Sequence, residues 1–506
     1  MIDTPICDFV EAYIQKHFSR FHMPGHKGTD ERFPLLARDI TEIEGADDLY
    51  HADGIILKSE ENASALFGSR HTFYSTEGSS LCIRAMLYLA VSCAPRVFPS
   101  SHTFACPDSR RIPSASSGTP LRPSPSRRRI LAARNAHKTF LYTCALLDLD
   151  VVWLYPEASS KETQTASICS CPVSAEYLQH TLEHFSGLPE EERPLAVFLT
   201  SPDYLGGVQD IAALSAICHR FGLPLLVDNA HGAYLKFLSP SRHPLDLGAD
   251  MCCDSAHKTL PALTGCAYLH ISRAAIYPYE KKARTALSLF GSTSPSYLLL
   301  QSLDWCNAYL AGSPQGQINL TPSYPDRLIS CIAKKEAVCQ MLLGRGFLFR
   351  DADPLRIVFY ASALGYSGHM LAEYLRLQHI ECEYADQDYV VLMVTPENSE
   401  EDWNRLESLK PPKYSDVSLS CPKPDLFPAA TSTCSLPAAL SIREALFAPS
   451  EAVPVSQALG RICAAPTVSC PPAIPIVVSG ERITKECLAL CRYYSITDLQ
   501  VVAEEA

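Results

Sequence analysis

Residues 224–232 read PLLVDNAHG, and residues 255–265 read SAHKTLPALTG. The first stretch is a short apolar run that ends on an acid, Asp228, and breaks at once into polar residues and Gly232. The second follows another short run, ADMCCD at 249–254, and carries Lys258 thirty positions after Asp228. Two further apolar runs stand upstream, VVWLYPE from 151 and PLAVFLTSP from 194, while Phe140–Leu147 and Ile211–Phe221 have helical spacing. Apolar strands separated by helices predict an α/β fold, a parallel sheet covered by helices on both faces. Ligands of such sheets bind at the carboxyl ends of the strands, and each of these runs is followed there by polar residues.

That edge is expected to hold both Asp228 and Lys258. An acid that keeps a pyridine nitrogen protonated and an amine that forms an imine are the two groups a pyridoxal-phosphate (PLP) site needs. Taken alone, the pair reads equally as a structural ion pair. Ser255, His257 and Thr259 add hydrogen-bonding groups for a phosphate. Glu77-Gly78-Ser79-Ser80 lies between a short strand, HTFYST, and the apolar-periodic LCIRAMLYLA. Glycine lets the backbone approach an anion, and a helix N-terminus offers free N–H groups; the same residues also make an ordinary N-cap. Glu77 would repel a phosphate unless its side chain turns away. His137, in a second Ala-His-Lys-Thr, suits stacking on a cofactor ring or simply opening a helix. His22 and His26 are spaced like zinc ligands, but Pro24-Gly25 breaks the helical geometry such a pair needs, and no metal is expected.

The bulk properties agree with a soluble globular protein of several domains. The chain has 506 residues, 47% hydrophobic and 19% charged, with a formal net charge of −12. An acidic balance argues against nucleic acid as a partner and suits a cationic small molecule. The most apolar stretches, near 81–94 and 140–155, contain Arg84 or Asp148 and Asp150, so no membrane span is expected. Twenty-one cysteines without matched CxxC pairs read as thiols of a reducing compartment, and the cytoplasm is the expected location. Residues 1–45 promise few regular elements. Residues 95–129, rich in Pro, Ser and Arg, read as a flexible surface insertion ending in Arg127-Arg128-Arg129. Downstream, RIVFYAS and YVVLMVTP read as strands around the helix HMLAEYLRLQ, and the chain is expected to end in a helix.

FHMPGHKG, DITEIEGADDLYHADG, STEGSS, RNAHKT, TSPDYLGG, DNAHGAY, SAHKTLPALTG and STSPSYLL occur in this order, an order that resembles the bacterial ornithine/lysine/arginine decarboxylases of PLP fold type I. The resemblance is strong over residues 5–310 and weaker beyond, where CPPAIPIVVSGE is similar to a CPPGIP-x-x-x-PGE segment. It implies a large domain at 51–315 behind an N-terminal segment at 1–50, a small α/β domain at 316–410, a linker at 411–436 and a C-terminal domain at 437–506. Lys258 would be the Schiff-base lysine, Asp228 the partner of the pyridine nitrogen and His137 the ring-stacking group. Gly78, Ser79, Ser80, Ser255 and His257 would surround the phosphate, and His231 would lie near the ring and the substrate carboxylate. Glu481 is the candidate acid for the substrate's basic side chain. The implied reaction is decarboxylation of lysine, ornithine or arginine, with a place in polyamine biosynthesis. The implied assembly is a homodimer or larger homo-oligomer with an interfacial site, to which Ser292–Tyr297 would contribute from the partner. Two readings compete on the same scaffold: another fold-type-I reaction such as aminotransfer, and a PLP-binding protein without turnover. The N-terminal wing of the large inducible members has no counterpart in the sequence, so their decameric assembly is not implied. Ala473 and Ser479 stand where a Gly and a Pro are usual, which bears on substrate choice.

Overall fold

The apolar runs form one seven-stranded sheet. In a computed structural model that describes residues 2–29, 33–94, 128–155, 170–312, 322–350, 352–412, 438–468 and 475–504, its strands are β1 (His71–Ser75), β2 (Arg128–Ala133), β3 (Leu149–Leu154), β4 (Pro194–Thr200), β5 (Leu225–Asp228), β6 (Met251–Asp254) and β7 (Ala267–Ile271). Their order across the sheet is β1-β7-β6-β5-β4-β2-β3. β2 through β6 run parallel; β7 is antiparallel to both β6 and β1. Hence β1 to β6 all end at the same edge, and the fold is the expected α/β class with a mostly parallel sheet.

Both faces are buried, as such strands require. Side chains alternate between the faces with period two. Ile130, Ala132, Phe198, Leu226 and Cys253 face one core; Leu131, Ala133, Val197, Leu199, Leu225, Val227 and Cys252 face the other. Helices α1 (Pro5–Gln15), α2 (Ile55–Phe67), α3 (Gly78–Cys93) and α4 (Lys138–Leu147) pack on the first core, and α5 (Ala175–Ser186) and α6 (Ile211–Arg220) on the second. The short α7 (Ala256–Thr259) follows β6, and α8 (Glu280–Phe290) and α9 (Tyr297–Leu310) return to the first core.

Three expectations change. The N-terminal segment carries the eleven-residue α1, docked by Asp304 of α9: Oδ2 accepts the Ile6 and Cys7 N–H groups at 3.0 Å, two of the donors a helix start leaves unpaired. The Arg-rich run does not all belong to an insertion. Arg128 and Arg129 begin β2, and Arg129 bonds the Glu192 carbonyl at 2.8 Å, while residues 95–127 lie outside the described residues. RIVFYAS and YVVLMVTP are strands, as expected, and their sheet is antiparallel: β8 (Phe349–Arg350), β9 (Arg356–Tyr360), β10 (Tyr384–Ala385) and β11 (Tyr389–Met393) in the order β10-β11-β9-β8. The last element is a strand, Asp498–Val502, paired with Ser450–Pro454 after the expected helix Lys485–Tyr493.

Among the described residues no helix is long and apolar enough to cross a membrane, and the described cysteines are all free thiols.

Candidate active site

The carboxyl edge collects the predicted residues. β5 ends on Asp228, which is buried; its Oδ1 accepts the Ala230 N–H at 3.2 Å and contacts the Cys253 thiol at 3.6 Å. β6 ends at Asp254, and the turn into α7 carries Ser255, His257 and Lys258. Lys258 and Asp228 make no ion pair, so the structural-pair alternative does not describe this site. The Lys258 Nζ instead lies 2.9 Å from His231 Nε2. Burial lowers the Lys258 amine below its usual range, against the pull of Asp228. His231 is buried, stands edge-on to Tyr204 at 5.1 Å between ring centres, and is held well below the usual imidazole range by burial and by Lys258. Its Nδ1 is buried without a partner.

The turn that presents Asp228 is locked from behind. Asn229 donates from Nδ2 to Asp254 Oδ1 at 2.6 Å, and Asp254 Oδ2 faces His243 Nε2 at 2.9 Å and His270 Nε2 at 3.2 Å. Asp254, His243 and His270 are all buried, and the contacts from the two histidines hold the Asp254 carboxyl far below its usual range against the opposing effect of burial. These donor atoms lie within 4.8 Å of one another, a spacing a metal ion accepts. His243 Nδ1, however, accepts the Leu245 N–H at 3.4 Å, which puts its ring proton on Nε2 and makes the contact to Asp254 a hydrogen bond. Gly232 completes the lock: a Cβ there would stand 2.0 Å from Asn229 Oδ1 and 2.7 Å from Pro202 Cδ.

His137 caps α4. Its Nδ1 accepts the Thr139 N–H at 3.2 Å, which leaves the neutral ring's proton on Nε2. Burial and Lys258 lower its pKa while Asp228 opposes them, so the imidazole feels both Asp228 and Lys258 at once. Thr139 Oγ1 donates to Ser80 Oγ at 3.3 Å, tying this loop to the strand-to-helix corner after β1. There Gly78 takes φ +68°, left-handed backbone that glycine allows without strain, and opens α3 with its first-turn N–H groups at the edge. Ser255 donates to Ser79 at 2.9 Å, joining the corner to the Lys258 turn. Glu77 does turn away: its Oε1 accepts the Ser292 N–H at 2.5 Å, so the Ser292–Tyr297 segment abuts the corner of its own chain. His257 Nδ1 donates to the Cys266 carbonyl at 2.9 Å and burial lowers its pKa; an anion beside Nε2 would favour the doubly protonated ring.

Glu481 has a different partner from the one expected. Both of its carboxylate oxygens meet Arg134, at 2.7 Å each, and Oε2 also accepts the Val478 N–H at 2.9 Å. Arg134 is fully buried and lies over the Trp153 ring at 4.9 Å. The carboxylate is therefore neutralised inside the protein and ties the C-terminal segment to the end of β2. His22 and His26 do not converge: His22 faces Tyr13 at 2.7 Å and His26 faces Asp39 at 3.1 Å. Ala473 lies outside the described residues, and Ser479 donates to the Ala465 carbonyl at 2.6 Å.

Two charged residues near the site went unnoticed in the sequence. Glu383 is exposed, accepts the Tyr204 hydroxyl at 2.7 Å, and its charge partly opposes the lowering that burial imposes on Lys258 and His257. Arg356 opens β9 and is buried, ion-paired to Asp353, which in turn accepts the Tyr234 hydroxyl at 2.7 Å. A charge at the head of an apolar strand was the available signal for Arg356; nothing marks Glu383 among its neighbouring acids.

The sequence pattern of the Orn/Lys/Arg decarboxylase major domain matches residues 4–98 and 92–321, and that of the Orn/Lys/Arg decarboxylase C-terminal domain matches 429–500. An arginine decarboxylase of Bacillus anthracis is 27% identical over 97% of this chain and 92% of its own length. An arginine decarboxylase of Bacillus subtilis is also 27% identical, over 96% of this chain and 92% of its own. Among solved structures, lysine decarboxylase A of Pseudomonas aeruginosa superposes with TM-score 0.71 at 16% identity, covering 99% of this chain and 80% of that one. The constitutive lysine decarboxylase of E. coli superposes with TM-score 0.67 at 16% identity, over 99% and 82%.

Proposed function

The chain belongs to the Orn/Lys/Arg decarboxylase family, and on that premise we propose that it removes the α-carboxylate of a basic amino acid with pyridoxal phosphate carried on Lys258. The observation that carries this reading is the buried Lys258 amine, 2.9 Å from His231 and set beside Asp228 and His137 at the carboxyl edge of the sheet. An amine kept below its usual pKa is a better nucleophile at neutral pH. The remaining donors fit the cofactor. The glycine-opened corner at Gly78, the Ser79 and Ser255 hydroxyls and His257 suit a phosphate, and Ser80 reaches it from the first turn of α3. Asp228 suits the pyridine nitrogen, and the capped, neutral His137 offers a flat ring to stack on.

When bound, the cofactor supplies the electron sink for the carboxylate's departure. The chain supplies the rest. Asp228 would pair with the pyridine nitrogen and keep it protonated. Lys258, whose Nζ lies 2.9 Å from His231 Nε2, would carry the cofactor, and its amine, held by His231, would supply a proton to the substrate Cα. With Glu481 spent on Arg134, Glu383 is the acid we assign to the substrate's distal cation, standing exposed and steadied by Tyr204. The two relatives above are named arginine decarboxylases, which puts arginine first among the three substrates. The working form is a homodimer or larger assembly in the cytoplasm; Phe18, Phe21 and Met23, 58%, 96% and 64% exposed, are apolar surface a second copy would cover.

The test is release of carbon dioxide and amine from arginine, lysine and ornithine by the PLP-loaded protein, beside Lys258→Ala. Release from one of them, abolished in the variant, supports the reading. Retained carbon dioxide with formation of a keto acid would replace it with aminotransfer.

A further inference from the structure

Asp254 is a fully buried carboxylate set where the segments expected to hold the cofactor meet. Its own strand, β6, runs directly into Ser255, His257 and Lys258. Its Oδ1 accepts from Asn229 Nδ2 at 2.6 Å, and Asn229 directly follows Asp228. Its Oδ2 accepts from His243 Nε2 at 2.9 Å and from His270 Nε2 at 3.2 Å. His270 lies on β7 and passes the connection on to β1: its Nδ1 faces Thr72 Oγ1 at 2.8 Å, and Thr72 meets Ser69 at 2.8 Å. β1 leads in turn to the Gly78 corner. One buried acid is thus tied, directly or through a histidine, to the strands that deliver Asp228, Lys258 and the phosphate corner.

The count of donors and acceptors leaves no slack in this cluster. Asp254 is the acceptor in each of its side-chain bonds. Asn229 meets it with an amide nitrogen, and both histidines meet it with a protonated Nε2, because His243 Nδ1 is taken by the Leu245 N–H and His270 Nδ1 faces a hydroxyl that can donate. An amide at position 254 would therefore bring its NH2 against a donor whichever way it turned. Relief would require Asn229 to turn its own amide over. Its Nδ2 would then enter the space beside Gly232 and Pro202 where Oδ1 now lies, a buried place that offers no hydrogen-bond partner among the described residues. Either outcome strains the turn that presents Asp228.

We propose that Asp254 is the positioning residue that keeps Asp228 in register with Lys258, and that it acts through Asn229. This rests on the proposed PLP chemistry but not on which amino acid is the substrate. What the turn needs from the pair at 229 and 254 is one acceptor facing one donor, so the acid and the amide are exchangeable between the two positions.

The experiment follows three quantities in the full-length protein: PLP affinity by absorbance titration after the cofactor is stripped, the absorbance of the loaded protein, and the urea unfolding midpoint. Asp254→Asn is expected to bind PLP about 10- to 100-fold more weakly, the effect of one or two buried donors left unmet, with absorbance altered as in Asp228→Asn. The double exchange Asn229→Asp with Asp254→Asn puts a donor opposite an acceptor again and leaves an amide oxygen for the two histidines. Its PLP affinity should return to within about threefold of wild type on the same reasoning. Thr72→Val loosens the cluster from its far side without touching Asn229, so the unfolding midpoint should fall while PLP affinity stays within about twofold. A merely structural role would instead make PLP affinity track the unfolding midpoint across the set. Should Asp254→Asn fail to fold, Asn229→Asp alone, which sets acid against acid, takes its place beside the double exchange. Wild-type affinity in Asp254→Asn, a double exchange no better than the single variants, or a Thr72→Val loss as large as that of Asp254→Asn overturns the inference alone. Wild-type protein that takes up no PLP would overturn it together with the proposed function.

Discussion

Glu481→Gln separates a structural carboxylate from a substrate-binding one. The substitution keeps the shape of the side chain but removes its charge and turns one acceptor into a donor. Arg134, fully buried and held at 2.7 Å by both oxygens, would keep a charge with no counterion. Removing one partner of a buried pair costs roughly 3–5 kcal/mol. The Trp153 face at 4.9 Å remains and returns part of it, on the order of 1–2 kcal/mol for a desolvated cation over an aromatic ring. The expected net loss is about 2–4 kcal/mol, which for a urea slope near 3 kcal/mol/M lowers the unfolding midpoint by about 1 M. The paired change Arg134→Met with Glu481→Leu removes both charges together and should recover most of that loss, as replacing whole buried pairs usually does. The assay is urea unfolding of the wild type, both single variants and the double variant, with amino-acid affinity measured on each folded protein. Stability within about 0.5 kcal/mol of wild type in Glu481→Gln, together with a selective loss of substrate affinity, would refute the structural role and return Glu481 to the substrate.

Three further outcomes follow from the same contacts. Burial raises the Asp304 carboxyl to about 6, so its contribution is fullest below the ordinary carboxyl value and is lost as pH rises through 6. Between pH 5 and 8 this one group should cost about 1.4 kcal/mol of stability, and Asp304→Asn, measured by urea unfolding at both pH values, should remove that part of the dependence. Burial lowers His137, His231, His257 and His270, so each stays neutral in the fold while the unfolded chain gains protons below its ordinary value near 6.5. Unfolding at pH 6 should therefore take up protons, read as a pH rise in weakly buffered solution; no uptake would contradict the neutral histidines. Gly232→Ala puts a Cβ into Asn229 Oδ1 and Pro202, so the protein should purify with much less PLP, its absorbance showing the loss, because the turn that presents Asp228 has to move.

Much of this site is legible in the chain because its residues sit where strands end. Asp228, Lys258, His137 and the Gly78 corner each follow an apolar run directly, and a parallel sheet brings such ends to one edge whatever the loops between them do. The remaining features depend on contacts and connections that the local sequence does not encode. Glu481 lies in a polar stretch with the look of a binding residue; only the fold reveals Arg134, 347 positions earlier, as its counter-ion. Arg356 reads as the first residue of an ordinary strand until the loop after β4 closes on Asp353. The antiparallel small sheet escapes because strand direction follows from connection geometry, which the alternation of apolar residues does not encode. The helix at Pro5–Gln15 escapes for a related reason: its first N–H groups are satisfied by Asp304, a carboxylate 297 residues away from Cys7.

The most direct test of the account is to reduce the PLP-loaded protein with borohydride, digest it and locate the cofactor by mass spectrometry. The pyridoxyl group is expected on the peptide containing Lys258, with cofactor absorbance altered in Asp228→Asn and absent in Lys258→Ala. A pyridoxyl group on another lysine, with Lys258→Ala still loaded, would contradict it.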